Sequence, residues 1–113
     1  MATAELAVAM PALVVVLALA LGCVRVGIDH VRCVDAARAG VRLLARGEPA
    51  PAALAEARGL APAGATVAAG SSGDLVTVEV VGRAPAVLGW LGTGLTPAAI
   101  AHSRIEARLG EEP

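Results

Sequence analysis

The sequence predicts an α+β protein in which one long N-terminal helix, transmembrane in its first half and amphipathic in its second, carries a small C-terminal antiparallel β-sheet. Three observations lead to this fold class. A long uncharged apolar run lies near the start of the chain, a helical pattern continues beyond it, and the last part alternates between apolar and polar residues on both sides of turn-forming segments. With 113 residues, the chain has room for one small domain besides the helix.

The apolar run extends from Leu6 to Val24 without a single charge. It is close to the roughly 20 residues that an α-helix needs to cross about 30 Å of hydrocarbon. Its Leu and Val side chains together contribute roughly −3 to −6 kcal/mol toward insertion. A chain this short offers little protein to bury such a helix on all sides. We therefore predict that residues 1–24 form a transmembrane anchor and that residues 25–113 form a domain outside the bilayer.

The helical pattern becomes amphipathic from Arg25 to Arg46 and ends at Gly47. A helix of this length exceeds the bilayer core, so its second half must pack on something else. Asp29 is assigned to the solvated side, in an i,i+4 pair with Arg25, and His30 is expected to be a packed histidine. The predicted packing stripe repeats at intervals of three and four residues: Val26, His30, Cys33, Ala37, Val41 and Leu44.

The remainder of the domain is predicted to be a linker, residues 47–64, followed by a small sheet, residues 65–109. Within the linker a short helix is expected at Ala52–Leu60. Gly- and Ser-rich residues 70–74 indicate a hairpin loop, and a Pro- and Gly-rich loop containing Trp90 precedes the last strand. The three predicted strands are Ala65–Ala69, Leu75–Val81 and Ile100–Leu109.

The residues that support chemistry are sparse. The net charge is −1 with one Trp and no Tyr or Phe, which argues against nucleic acid as a partner. No phosphate-binding glycine loop, nucleophile motif or zinc-ligand spacing is present. Cys23 and Cys33 are separated by about 15 Å of helical rise, too far for a disulfide within the helix. We therefore expect no enzymatic activity, no cofactor and no metal.

Glu5 lies at the edge of the predicted membrane segment, where a carboxylate is costly. Two interpretations remain open on spacing alone. Glu5 either marks the headgroup level at which the helix begins, or it has a functional role in the membrane.

The N-terminal run ATAELAVAMPALVVVLALAL, followed by RCVDAARAGVRLLARGE, resembles the TadE-like minor pilins of actinobacterial tight-adherence pilus systems. The resemblance implies a type IV pilin-like cell-adhesion protein, single-pass in the cytoplasmic membrane, with an extracytoplasmic C-terminal domain. It implies four kinds of partner: membrane lipid, other pilin-like subunits, the pilus assembly machinery and, given a leader, a prepilin peptidase. Glu5 matches the early glutamate of processed pilins, which is thought to pair with the N-terminal amine of a neighbouring subunit.

The family also carries a short basic leader that ends in Gly before the cleavage point. We expect the reading frame upstream of Met1 to encode such a leader, or else the protein escapes processing. Without it, the positive-inside rule would orient the arginine-bearing end toward the cytoplasm. Two alternatives remain: an exported lipoprotein modified at Cys23, and a single-pass membrane protein unrelated to pili that binds a partner through the Val26-to-Leu44 stripe.

Overall fold

The computed structural model describes residues 2–86 and 96–105. One long helix, a short helix and three strands make up this part of the chain, and the molecule measures 84 × 20 × 17 Å because much of the long helix extends beyond the domain. The predicted α+β fold class is confirmed. The elements in chain order are α1 (Ala2–Ala45), α2 (Ala50–Leu60), β1 (Thr66–Ser72), β2 (Leu75–Val81) and β3 (Ala98–Arg104).

Helix α1 is continuous over 44 residues and includes Pro11, so its length is about 66 Å. Its end is set by Gly47, whose φ of 86° is accessible to glycine without steric cost. The Gly47 N–H donates to the Leu44 carbonyl at 3.1 Å, and the Glu48 N–H donates to the Leu43 carbonyl at 3.1 Å. This Schellman arrangement satisfies the last carbonyls of the helix. The predicted helix from about residue 3 to 46 is correct to within one residue at each end.

The strands form one antiparallel sheet in the order β1-β2-β3. The predicted hairpin between the first two strands is confirmed. Its loop is shorter than the predicted residues 70–74, because β1 continues to Ser72 and only Gly73 and Asp74 form the turn. Gly73 has a φ of 62°, and a two-residue hairpin turn requires a residue that tolerates a positive φ. One glycine at the tip is therefore sufficient, and the preceding small residues extend the strand.

Strand β3 starts two residues before the predicted Ile100. Its start is fixed by the Gly82 N–H, which donates to the Pro97 carbonyl at 2.7 Å, and the ladder continues past its end through Ile105 N–H to the Asp74 carbonyl at 2.8 Å. The predicted extension of this strand to Leu109 and the predicted loop position of Trp90 lie outside the described residues.

The core lies between the inner face of the sheet and the second half of α1, with α2 packed beside them. Val76, Val78 and Val80 are buried on the inner face, as the alternation of β2 predicts. The α1 and α2 residues that face them are small, so the backbones approach closely. A Cβ added at Gly40 would lie 3.3 Å from the Ala57 Cβ and from both Val78 γ-carbons.

Candidate assembly surface on the long helix

The first half of α1 is an apolar rod without a covering layer among the described residues. From Leu6 to Val24 every side chain except Leu19 and Gly22 is exposed. Only 6% of its most apolar 18-residue window is buried, and the mean hydropathy of that window is 2.6. A core helix of a soluble protein would be mostly buried. Helix α1 is therefore long and apolar enough to span a membrane, and it lies near the N-terminus.

Glu5 lies in the first turn of α1 and is exposed. A carboxylate is favourable there because it complements the positive end of the helix dipole. No described side chain forms an ion pair or hydrogen bond with it. Its charge is therefore not neutralised by the described part of its own chain.

The predicted packing stripe on the second half of α1 divides into three groups. Cys33, Ala37 and Val41 are buried against the sheet, while Val26 and Leu44 are half-buried. The expectation of a packed His30 is wrong, since this side chain is exposed. His30 lies at the rim of a groove between α1 and β3. Within the described residues β3 is an outer strand of the sheet, and no strand lies beyond it on that side of the helix.

The assignment of Asp29 to the solvated side is also wrong: it is 5% exposed. Arg25 Nε lies 3.4 Å from Asp29 Oδ2, which confirms the predicted pair, while Oδ1 is buried without a hydrogen-bond partner among the described residues. Asp29 precedes Cys33 by one turn and shares its face. The sequence signal for this buried face is the pair of small residues Ala36 and Gly40, which continues the face along α1 and lets other elements approach the helix closely.

Cys33 is fully buried at the point where α1 meets the start of β3. Its Sγ lies 3.8 Å from the Pro97 carbonyl oxygen, to which the thiol donates. Burial raises the pKa of the thiol, the backbone N–H of Gly82 opposes that shift, and the negative charge of Asp29 adds to it. The thiol is therefore protonated at neutral pH and unreactive while the domain is folded.

We expect Cys33 to resist alkylation and to make the fold sensitive to alkaline pH. Because the folded pKa is raised, the stabilising effect is complete below the ordinary thiol pKa of about 8.5 and is lost as the pH rises through the folded value. In a Cys23→Ser chain, iodoacetamide should modify Cys33 only on unfolding. An added thiol at exposed Ser71 (Ser71→Cys) should react at once. Equal labelling rates at the two positions in the folded protein would contradict the buried placement.

The described residues contain no group of three or more His, Cys, Asp and Glu side chains positioned to hold a metal ion. Comparison with protein-family models, with curated proteins and with solved structures gave no match. Three features of the chain bear on its function: an exposed apolar helix, a carboxylate near the tip of that helix and a small domain at its other end.

Proposed function

We propose that this chain is a membrane-anchored minor pilin or pseudopilin that takes part in assembly of a tight-adherence, type IV-like pilus. In this proposal the first half of α1 crosses the cytoplasmic membrane once and the domain lies on the extracytoplasmic side. The observation that supports it is the apolar half of α1, exposed along almost its whole length and continuous with a helix that is integral to a small domain. Such a helix can transfer from lipid into a bundle of like helices without unfolding the domain.

The exposed half of α1 has the composition that close helix packing in a membrane requires. Without a hydrophobic driving force between helices in lipid, association depends on close contact, which small residues permit. Ala residues recur through the segment, and these positions are exposed: Ala4, Ala7, Ala9, Ala12, Ala18 and Ala20. Neighbouring subunits are the partners that this surface fits.

Glu5 supplies the polar contact in the proposed assembly. A carboxylate in a low-dielectric environment is stable only when it is paired, and the described part of the chain offers it no partner. The α-amino group at the tip of a neighbouring α1, exposed after leader cleavage, has the opposite charge and lies at a similar depth. The pair would set the register between subunits.

The Glu5→Gln variant tests this role. We expect normal amounts in the membrane, since a neutral amide inserts more easily than a carboxylate, and loss of co-purification with other pilin-like subunits. Glu79→Gln, which removes an exposed carboxylate from the sheet, is the matched control and should co-purify normally. A Glu5→Gln chain that still assembles would remove the charge pairing from the mechanism.

The two alternatives, a partner-binding membrane protein and an exported lipoprotein, depend on different residues of α1. Partner binding through the stripe from Val26 to Leu44 is disfavoured, because Cys33, Ala37 and Val41 are buried against the chain's own sheet. The lipoprotein alternative depends on Cys23, an exposed cysteine on α1. Metabolic labelling with a fatty acid distinguishes it: incorporation that disappears in Cys23→Ser would favour a lipoprotein over a pilin.

A further inference from the structure

Strand β3 forms one edge of the sheet in the part of the chain that the structure describes. The hydrogen bonds at its two ends, Gly82 N–H to Pro97 O and Ile105 N–H to Asp74 O, fix the phase of the β2–β3 ladder. In an antiparallel pair, alternate residues direct both backbone groups toward the partner strand. The odd-numbered residues of β3 therefore bond to β2, and the even-numbered ones direct their N–H and C=O groups outward. These outward residues are Ala98, Ile100, His102 and Arg104.

Strand β1 forms the other edge of the described sheet. The even-numbered residues of β2 form their backbone hydrogen bonds with β3, so its odd-numbered residues form theirs with β1. In the β1–β2 register, the β1 residues whose backbone N–H and C=O groups point outward are therefore Val67, Ala69 and Ser71. No other strand of the described sheet pairs with either edge. Each edge borders a groove, of about 250 Å³ beside β3 and about 330 Å³ beside β1.

The two edges lack most of the features that normally prevent strands from pairing with other chains. Such features include charged side chains, prolines and bulges. Strand β1 has no charge and no proline, and β3 has no charge between Ala98 and Ala101. Both strands are seven residues long and level with each other, because Thr66 and Ala98 both pair with Val81. Strand β3 presents four residues with outward backbone groups and β1 presents three, which alternate with them when the edges are level.

The direction of the strands relative to α1 limits how two copies can pair. Cys33 contacts Pro97 at the start of β3, while Leu44 lines a groove with Val76, whose β3 partner is Ser103 near the end of that strand. Strand β3 therefore runs in the same direction as α1, and so does β1. Antiparallel pairing of two β3 edges would require a two-fold axis perpendicular to both helices, which would point the two membrane anchors in opposite directions.

We propose that a second copy of this chain pairs its β1 edge with the β3 edge of the first, in parallel, so that the sheet continues as β1-β2-β3-β1-β2-β3 across the subunit boundary. This inference rests on the proposed membrane placement of α1, which keeps all copies in one orientation. The contact is heterologous, and it therefore extends into a ring or a filament rather than closing as a dimer. It supplies the extracytoplasmic half of an assembly whose membrane half is α1.

The backbone groups of the two edges favour a second copy as the occupant. With the edges level, Ala68 of one copy lies beside Ile100 of the other. In parallel pairing the Ile100 N–H then donates to the Val67 carbonyl, and the Ala69 N–H donates to the Ile100 carbonyl. In this register the two strands direct their side chains alternately to the same two faces, so the sheet continues without a change of face.

Disulfide cross-linking between two differently tagged full-length chains in the membrane tests the pairing. Both carry Cys23→Ser; one adds Ala68→Cys and the other Ile100→Cys. In the proposed register these residues lie side by side on adjacent strands, about 4.8 Å apart. Within one chain they flank Glu79 on opposite sides of β2, roughly 10 Å apart and too far to bond. We expect a disulfide that joins the two tags.

Two controls make the test specific. Replacing Ala68→Cys by Glu79→Cys moves the thiol to the middle strand and should abolish the cross-link. Adding His102→Pro to the Ile100→Cys chain removes an outward N–H without breaking the β2 ladder, and should also abolish it, whereas His102→Thr should not. A disulfide in the Ile100→Cys chain alone would mean antiparallel pairing and would overturn the proposal.

Absence of the mixed disulfide, or a yield that the Glu79→Cys chain equals, would also overturn it. These failures are distinguishable from a failure of the proposed function. If the cross-link is absent while co-purification still depends on Glu5, the sheet pairing is wrong and the pilin role stands. If the cross-link forms but Glu5→Gln has no effect, the chain self-associates by its sheet and the helix-tip mechanism is wrong.

Discussion

A chain that carries Val15→Arg and Leu17→Arg is expected to lose its attachment to the membrane. Both positions lie near the middle of the exposed apolar half of α1 and are 54% and 57% exposed. Each arginine at the centre of a spanning helix costs about 2.5–3.5 kcal/mol. Two of them therefore offset all of the favourable insertion free energy, roughly −3 to −6 kcal/mol, that the Leu and Val side chains supply.

The measurement is the fraction of protein retained in carbonate-washed membranes. Leu60→Arg with Ile100→Arg is the matched control, because both side chains are exposed apolar residues of the domain, at 44% and 59%, and neither belongs to the apolar half of α1. This control should stay in the membrane fraction. If both double variants remain there equally, an attachment other than α1 holds the protein, and the proposed anchor is wrong.

The second large effect is expected from Gly40→Leu. Gly40 lies where α1, α2 and β2 meet, and even a methyl group there would be 3.3 Å from Ala57 and Val78. A leucine must separate these layers, and overpacking of this kind costs about 1–3 kcal/mol and occasionally more. Because three elements meet at this point, we expect the upper end of that range, with loss of the α2 contact. Thermal unfolding in detergent measures the change.

Gly27→Leu is the control for helix propensity. Gly27 is in the same helix, and a Cβ there would meet nothing within 4 Å. Replacing glycine by leucine in a helix gains up to about 1 kcal/mol when no contact opposes it. We therefore expect Gly27→Leu to be neutral or slightly stabilising. Equal destabilisation by both substitutions would mean that the close approach at Gly40 does not hold the domain together.

Much of the fold could be predicted because its signals are local. An uncharged run predicts the exposed half of α1, Gly47 predicts its end, and alternation predicts β2. Two strand ends differ from the prediction because each depends on a specific contact. The end of β1 depends on where a two-residue turn closes, and the start of β3 depends on a hydrogen bond between Gly82 and Pro97. Neither contact leaves a periodic pattern in the sequence.

The features of the candidate assembly surface likewise fall into those that the sequence predicts and those that depend on tertiary contacts. The sequence by itself determined the membrane-length helix, the carboxylate near its tip and the amphipathic stripe, since each follows from residue type and spacing along one element. Only the tertiary structure decided that Asp29 is buried, that His30 is exposed, and that β1 and β3 are the two outer strands of the described sheet and run in the direction of α1. The physical reason is that burial and edge pairing depend on which element lies beside a residue. Small residues such as Gly40 decide which elements lie side by side, because they allow two backbones to approach closely. Such residues produce no periodic pattern in the sequence.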